Sequence, residues 1–197
     1  MIFLNYLDKT VVASKYFSVE QMKKIYNLGA RHFGENYVQS LLTKKQALDN
    51  YKDITWHLIG HLQSNKTKMI INEIDYLHTL DSIKLARLIQ KFRNTPLNCL
   101  IQINLEANNQ KEGILLKDLS DFIQEIKKYD KINLIGFMTI GALDNEILTE
   151  EIFKTLNDLK MKYNLNYTSM GMSNDYELAL NYHSDFLRIG SLFKGVI

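Results

Sequence analysis

Between residues 10 and 190 the chain switches its hydrophobic pattern repeatedly, from short, nearly continuous apolar runs to longer amphipathic segments and back. That alternation is the signature of strands covered on both faces by helices, and so of a parallel sheet built from βα units. Eight runs read as strands: TVVAS (10–14), HFGE (32–35), TWHLIG (55–60), YLHTL (76–80), NCLIQINL (98–105), LIGFMTI (134–140), YTSMGM (167–172) and FLRIG (186–190). The first helix is expected to open at Ser18, with Gln21 completing a capping box, and to stop at Gly29 in a left-handed conformation. A second helix carries Leu41 and Leu48 on its apolar stripe, and five more fit residues 65–74, 82–92, 116–129, 149–163 and 175–183.

Eight parallel strands with intervening helices close most economically into a (β/α)8 TIM barrel, because closure removes the sheet edges. A doubly wound open sheet is the alternative. Seven helices for eight strands leave one flank thinly covered, since the nine residues before the first strand are too few for a full helix. With 197 residues, 46% of them hydrophobic, and no linker rich in Pro, Gly or Ser, residues 1–197 are expected to form a single domain. The polar loop EANNQKEGI is the one such stretch that stands out.

Charge narrows the partners. The 24 basic and 22 acidic residues leave a net charge of +2 with no long run of either sign, which argues against a dedicated nucleic-acid or membrane-surface binder. Cys99 lies within an apolar run and is expected to pack as a small hydrophobe in a reducing compartment. The start MIFLNYLDK lacks the features of a signal peptide, no stretch is long enough to span a membrane, and no dimerisation segment is visible. A cytoplasmic monomer is the expectation.

In barrels of this kind the active site lies at the C-terminal ends of the strands, and phosphate is commonly held by the loops after strands seven and eight. Lys15 ends strand one, beside strand eight. After strand seven, Gly171 and Ser173 in MGMSND precede a helix, and after strand eight, Gly190 and Ser191 in RIGS offer backbone amides and a hydroxyl. Two glycine-containing anion cradles therefore flank one lysine. A lysine at a barrel mouth beside a phosphate site suits imine formation with a carbonyl compound, which leaves sugar phosphates and pyridoxal phosphate as ligand classes. Arg188, two residues before Gly190, shares the mouth. Its guanidinium has only donors, so it could meet an unprotonated pyridine nitrogen but could not act as the acid protonating it, and such a ring is a weaker electron sink than one paired with a carboxylate.

The segments TVVASK, RHFGENYVQS, WHLIGHLQSNK, LHTLD, LIGFMTI, SMGMSND and LRIGS resemble the successive signature segments of the pyridoxal-phosphate homeostasis protein family, the PROSC-type, alanine-racemase-like proteins. The resemblance covers nearly the whole chain from residue 10. It implies a barrel like the N-terminal domain of fold-type-III alanine racemases, with Lys15 carrying pyridoxal 5'-phosphate as an internal aldimine. It further implies phosphate contacts from Ser173, Gly190 and Ser191, Arg188 near the pyridine nitrogen, and Asn36 beside the cofactor. The sequence departs from the family pattern in largely lacking the helix before the first strand, in the YFS that follows Lys15, and in Ser191 where threonine is common.

Other conspicuous residues read as structural. His57, His61 and His78 match no metal-site spacing and are expected in the core or behind the site, Trp56 in packing, and Lys66 and Lys68 at a solvated helix start. Three functions are then in competition. The resemblance implies a non-catalytic protein that binds pyridoxal phosphate and buffers it or delivers it to apo-enzymes. A racemase using the same cofactor needs a second proton-transfer group opposite the lysine, which racemases of this fold take from an additional β domain not found in this sequence. A Schiff-base aldolase acting on phosphosugars is the third.

Overall fold

The computed structural model describes residues 2–106 and 112–197. Nine strands form its sheet: β1 (Thr10–Ala13), β2 (His32–Glu35), β3 (Thr55–Leu58), β4 (Tyr76–Leu80), β5 (Leu97–Asn104), β6 (Ile114–Leu115), β7 (Ile132–Met138), β8 (Tyr167–Met172) and β9 (Phe186–Ile189). All pairings are parallel. β4 pairs with β5, β5 with β7, and β9 returns to β1 through Thr10 opposite Leu187, so eight strands close into a barrel. The open-sheet alternative is thereby excluded. The two-residue β6, not expected from the sequence, adds to β5 outside the closed ring and begins at the last residue of the polar stretch 106–114, of which residues 107–111 lie outside the described set.

Among the described residues, seven α-helices connect the strands: α1 (Val19–Asn27), α2 (Val38–Ala47), α3 (Thr67–Ile70), α4 (Ile83–Phe92), α5 (Leu119–Ile126), α6 (Glu146–Lys162) and α7 (Tyr176–Asn181). The Ser18–Gln21 capping box forms with both of its hydrogen bonds, and Gly29 takes φ 110° where α1 ends. α6 starts three residues before the expected Thr149, because the Asn145 side chain accepts the Leu148 amide and caps it earlier. The helix expected over 65–74 shrinks to a 3-10 turn and the single turn of α3. Its later carbonyls have other donors: Lys45 donates to Glu73, and Arg93 donates to Ile71 and Ile74.

The flank lacking an eighth helix is covered by two 3-10 turns, Ile2–Tyr6 and Ser191–Gly195. Each contributes one buried phenylalanine, and Phe3 and Phe193 meet edge to face with centroids 4.9 Å apart.

Strand alternation separates two cores. Val12, Cys99, Ile101 and Leu187 point outward into the layer between sheet and helices, which holds most of the buried hydrophobic side chains. Val11, Leu100, Ile135, Met138 and Phe186 point inward to a much smaller apolar cluster. The barrel interior is completed by polar side chains instead. Cys99 is fully buried, as expected, and burial pushes its thiol pKa far up, which leaves it inert as a nucleophile. No helix among the described residues is long and apolar enough to cross a membrane.

Candidate functional site

β1 delivers Lys15 just past its last residue, in a turn at the C-terminal end of the barrel. The ammonium is exposed there and lies 4.8 Å from the centroid of the Tyr16 ring. Lys194, from the C-terminal 3-10 turn, approaches the same ring at 5.4 Å. The amine is in solvent contact because β1 ends before it and the chain turns at Lys15 and Tyr16 directly after the buried Ser14.

That bend is held from below. The Ser14 hydroxyl, fully buried, donates its one proton toward Glu35 Oε1 at 2.8 Å, with the Gly34 carbonyl oxygen the second acceptor in reach at 3.1 Å. From α2, Lys44 Nζ donates to the Ser14 carbonyl at 2.7 Å and to Glu35 Oε1 at 2.5 Å. A buried ion pair thus clamps both sides of the peptide that precedes Lys15. Neither Glu35 nor Lys44 is singled out by the sequence, in which they lie nine positions apart on different elements. Only their convergence on Ser14 gives them a role.

Lys15, Asn36, Ser173, Arg188, Gly190 and Ser191 all line one cavity of about 940 Å³ at this end of the barrel. Of the residues that the sequence brought forward for the site, all but Gly171 are therefore at the same place. The two anion cradles meet directly, since the Gly190 amide donates to Ser173 Oγ at 3.3 Å. Gly190 also lies against β1, where a Cβ would come 2.9 Å from the Ala13 carbonyl oxygen. Gly171 has a different role from the one expected. It sits within β8 at φ 90°, and a Cβ there would meet the Ala179 Cβ at 2.5 Å, so it permits α7 to pack and contributes nothing to an anion cradle. α7 itself begins only at Tyr176, after a turn in which Asp175 Oδ1 accepts the Met172 amide.

Arg188 reaches the cavity floor from β9 and is nearly buried. Its Nη1 donates to Ser169 Oγ at 2.7 Å and its Nη2 to the Thr139 carbonyl at 2.8 Å. Burial lowers its pKa to about 10, with Asp175 acting in the opposite direction, so the guanidinium stays protonated at neutral pH. Behind it, His78 and His57 are fully buried, and burial holds both well below the usual imidazole range, hence neutral. These two histidines occupy the interior, as expected. His61 does not: it is exposed, 3.0 Å from Asp81 Oδ2. Trp56 packs against Phe33, while Lys66 and Lys68 are exposed and away from the cavity. Among the described residues no group of His, Cys, Asp or Glu is arranged to hold a metal ion.

The donor set suits a phosphorylated aldehyde with an unprotonated ring nitrogen. It comprises one accessible primary amine, hydroxyls and an amide clustered opposite, and a fixed cationic donor on the floor. An apolar collar of Tyr16, Ile140, Leu143 and Met172 surrounds the mouth.

Comparison with known proteins agrees with this geometry. A family model described as alanine racemase, N-terminal domain, matches residues 13–196. The chain is 37% identical to the pyridoxal phosphate homeostasis protein of Schizosaccharomyces pombe, over 94% of this chain and 82% of that protein. It is 39% identical to the protein of the same name from Helicobacter pylori, over 96% and 89%. Among solved structures, PipY of Synechococcus elongatus with PLP bound superposes with a TM-score of 0.85 at 27% identity, covering 95% of this chain and 92% of that one. The alanine racemase of Corynebacterium glutamicum shares the fold at a TM-score of 0.74 and 15% identity, with 98% of this chain matching 57% of that one. By fold and by sequence along nearly its whole length, this chain belongs to the alanine racemase N-terminal domain family and, within it, to the pyridoxal phosphate homeostasis proteins.

Proposed function

We propose that residues 1–197 form one cofactor-binding unit that holds pyridoxal 5'-phosphate reversibly and serves its intracellular homeostasis without turning over a substrate. The carrying observation is that Lys15, Ser173, Gly190, Ser191 and Arg188 line a single cavity at the C-terminal end of the barrel. The names of the homeostasis-protein relatives and the PLP-bound PipY structure support the choice of ligand. When bound, pyridoxal phosphate supplies an aldehyde that condenses with a primary amine and a ring that withdraws electrons.

Lys15 Nζ is the attachment point, and the Glu35–Lys44 clamp on Ser14 fixes the backbone from which it reaches. Ser173 Oγ, the Gly190 amide and the Ser191 hydroxyl hold the phosphate, and Asn36 lies beside the cofactor. Arg188 presents a donor to the ring nitrogen and keeps that nitrogen unprotonated. This setting weakens proton abstraction from a bound amino acid. The exposed Lys15 and the open mouth favour exchange of the cofactor, with apo-enzymes as the recipients. A soluble cytoplasmic monomer with no nucleic-acid or membrane partner completes the reading.

The test is a titration with pyridoxal phosphate, followed by borohydride reduction and peptide mapping. The expected result is a pyridoxyl adduct on Lys15, with loss of the visible absorption band in Lys15→Ala. An adduct found only on Lys66 or Lys68 overturns the assignment. The rival reading, an amino-acid racemase, has the family's descriptive name in its favour. Negligible racemisation of common amino acids together with cofactor transfer to an apo-enzyme is expected. Multiple-turnover racemisation abolished by Lys15→Ala, with no cofactor transfer, overturns the carrier.

A further inference from the structure

Three histidines and a serine run through the barrel interior as a continuous hydrogen-bonded column. His32 Nδ1 on β2 lies 2.9 Å from His57 Nε2 on β3, and His57 Nδ1 lies 2.8 Å from His78 Nε2 on β4. His78 Nδ1 then crosses the lumen to Ser169 Oγ on β8 at 2.9 Å, and Ser169 Oγ meets Arg188 Nη1 on β9. The four contacts link five strands of the barrel. Apart from Arg188, none of these residues lines the ligand cavity.

We propose that this column is a positioning element with one obligatory proton order, and that it locks the Arg188 guanidinium in its ring-facing orientation. The order follows from Arg188, which can only donate. Ser169 Oγ accepts from it, so the serine proton is left to be donated, and among the described residues the only side-chain acceptor within reach of this buried hydroxyl is His78 Nδ1. A neutral His78 that accepts at Nδ1 carries its proton on Nε2 and donates it to His57 Nδ1. By the same reasoning His57 donates from Nε2 to His32 Nδ1, and His32 carries its own proton on Nε2. All three rings are then Nε2–H tautomers, and every contact has one donor and one acceptor.

The opposite order fails at one place. It would have His78 donate to Ser169, leaving the buried serine hydroxyl proton without a side-chain acceptor. Neutrality of the rings is consistent with their surroundings. His57 stacks on the Tyr76 ring at 4.5 Å, Phe186 touches all three imidazoles, and the charged groups that act on the column are Arg188 at one end and Asp8 and Asp75 near His32.

The identity of Arg188's ligand rests on the function proposed above, but the proton order does not, so the two can fail separately. The experiment labels histidine with 15N in the protein without ligand and reads the tautomer of each ring from two-bond nitrogen–proton couplings. His61 and His183, both exposed, serve as internal references. The expected result at neutral pH is a single Nε2–H tautomer at His32, His57 and His78. An Nδ1–H tautomer at His57 or His78 overturns the proposal without recourse to any variant.

Ser169→Ala should convert all three rings, including the remote His32, to tautomer mixtures, and Ser169→Thr should restore the single form. Changes confined to His78 would show packing alone and overturn the column. With pyridoxal phosphate added, Ser169→Ala should bind about tenfold more weakly and Ser169→Thr should recover. Unaltered affinity in the alanine variant overturns the positioning role. Absence of binding to the unmodified protein overturns the function proposed above and leaves the proton order to the spectra.

Discussion

The two ends of the barrel interior are made by the same strands and treat polar groups in opposite ways. At the N-terminal end, Phe186, Tyr76 and Tyr167 plug the lumen: Phe186 stacks on Tyr167 at 5.4 Å, and His57 and His78 hydrogen-bond within the column above them. At the C-terminal end, Lys15 and Ser191 are exposed, and the single bond from the Gly190 amide to Ser173 joins the two halves of the cradle. Buried polar groups that satisfy one another specify a structure, whereas groups left to solvent are available to a ligand. The difference teaches which substitutions should act on folding and which on binding.

The largest expected effect tests the layer between the two ends. Lys44→Ala leaves Glu35 buried without its partner, and Glu35 Oε2 already has no hydrogen bond, so urea denaturation should show a loss of about 3–5 kcal/mol. A loss below about 1 kcal/mol would mean that the clamp under Lys15 is not a structural element. Comparable in size, Phe186→Ala removes the plug and should cost about 3–5 kcal/mol while the Lys15 adduct still forms in the folded fraction.

Acid sharpens the comparison further. His57 and His78 have folded-state pKa values well below the usual 6.5, so the unfolded chain binds protons first as pH falls. Their contribution to stability is complete above pH 6.5 and is lost below it, by about 1.4 kcal/mol per pH unit for each group until the folded-state pKa is reached. Denaturation midpoints at several pH values from 7 down to 5 should fall steadily, and a flat profile would contradict neutral buried imidazoles. The smallest change in stability belongs to the mouth. Ser173→Ala should weaken binding of pyridoxal phosphate by about tenfold and leave the denaturation midpoint unmoved. Equal affinity for pyridoxal and its phosphate would remove the cradle altogether.

The outer layer of the barrel was legible because it is written in apolar residues with a period. Val12, Ile101 and Leu187 each announce a strand, and Ser18 with Gln21 announces a helix start. The mouth was legible in part, since Lys15 and the glycine–serine pairs stand at strand ends where a barrel places its chemistry. The inner column was not. His32, His57 and His78 are separated by whole βα units, and only closure of the ring carries Ser169 across to them. Glu35 and Lys44 escaped for the related reason that a buried charge and a solvated one are written with the same residue. Gly171 was misread because a glycine before a serine resembles an anion turn, while the close approach of Ala179 that requires it comes from another element.

The pairing of Thr10 with Leu187 has a consequence for how the chain acquires its structure. The barrel can be closed only after β9 has been synthesised, so β1 must wait for a partner from the far end of the sequence. Until then it offers one unpaired edge, and the nascent sheet exposes Phe3 and the apolar rows that its helices have not yet covered. The rate-limiting event in folding should be this end-to-end docking, and the species that precedes it is the one most open to association with other chains.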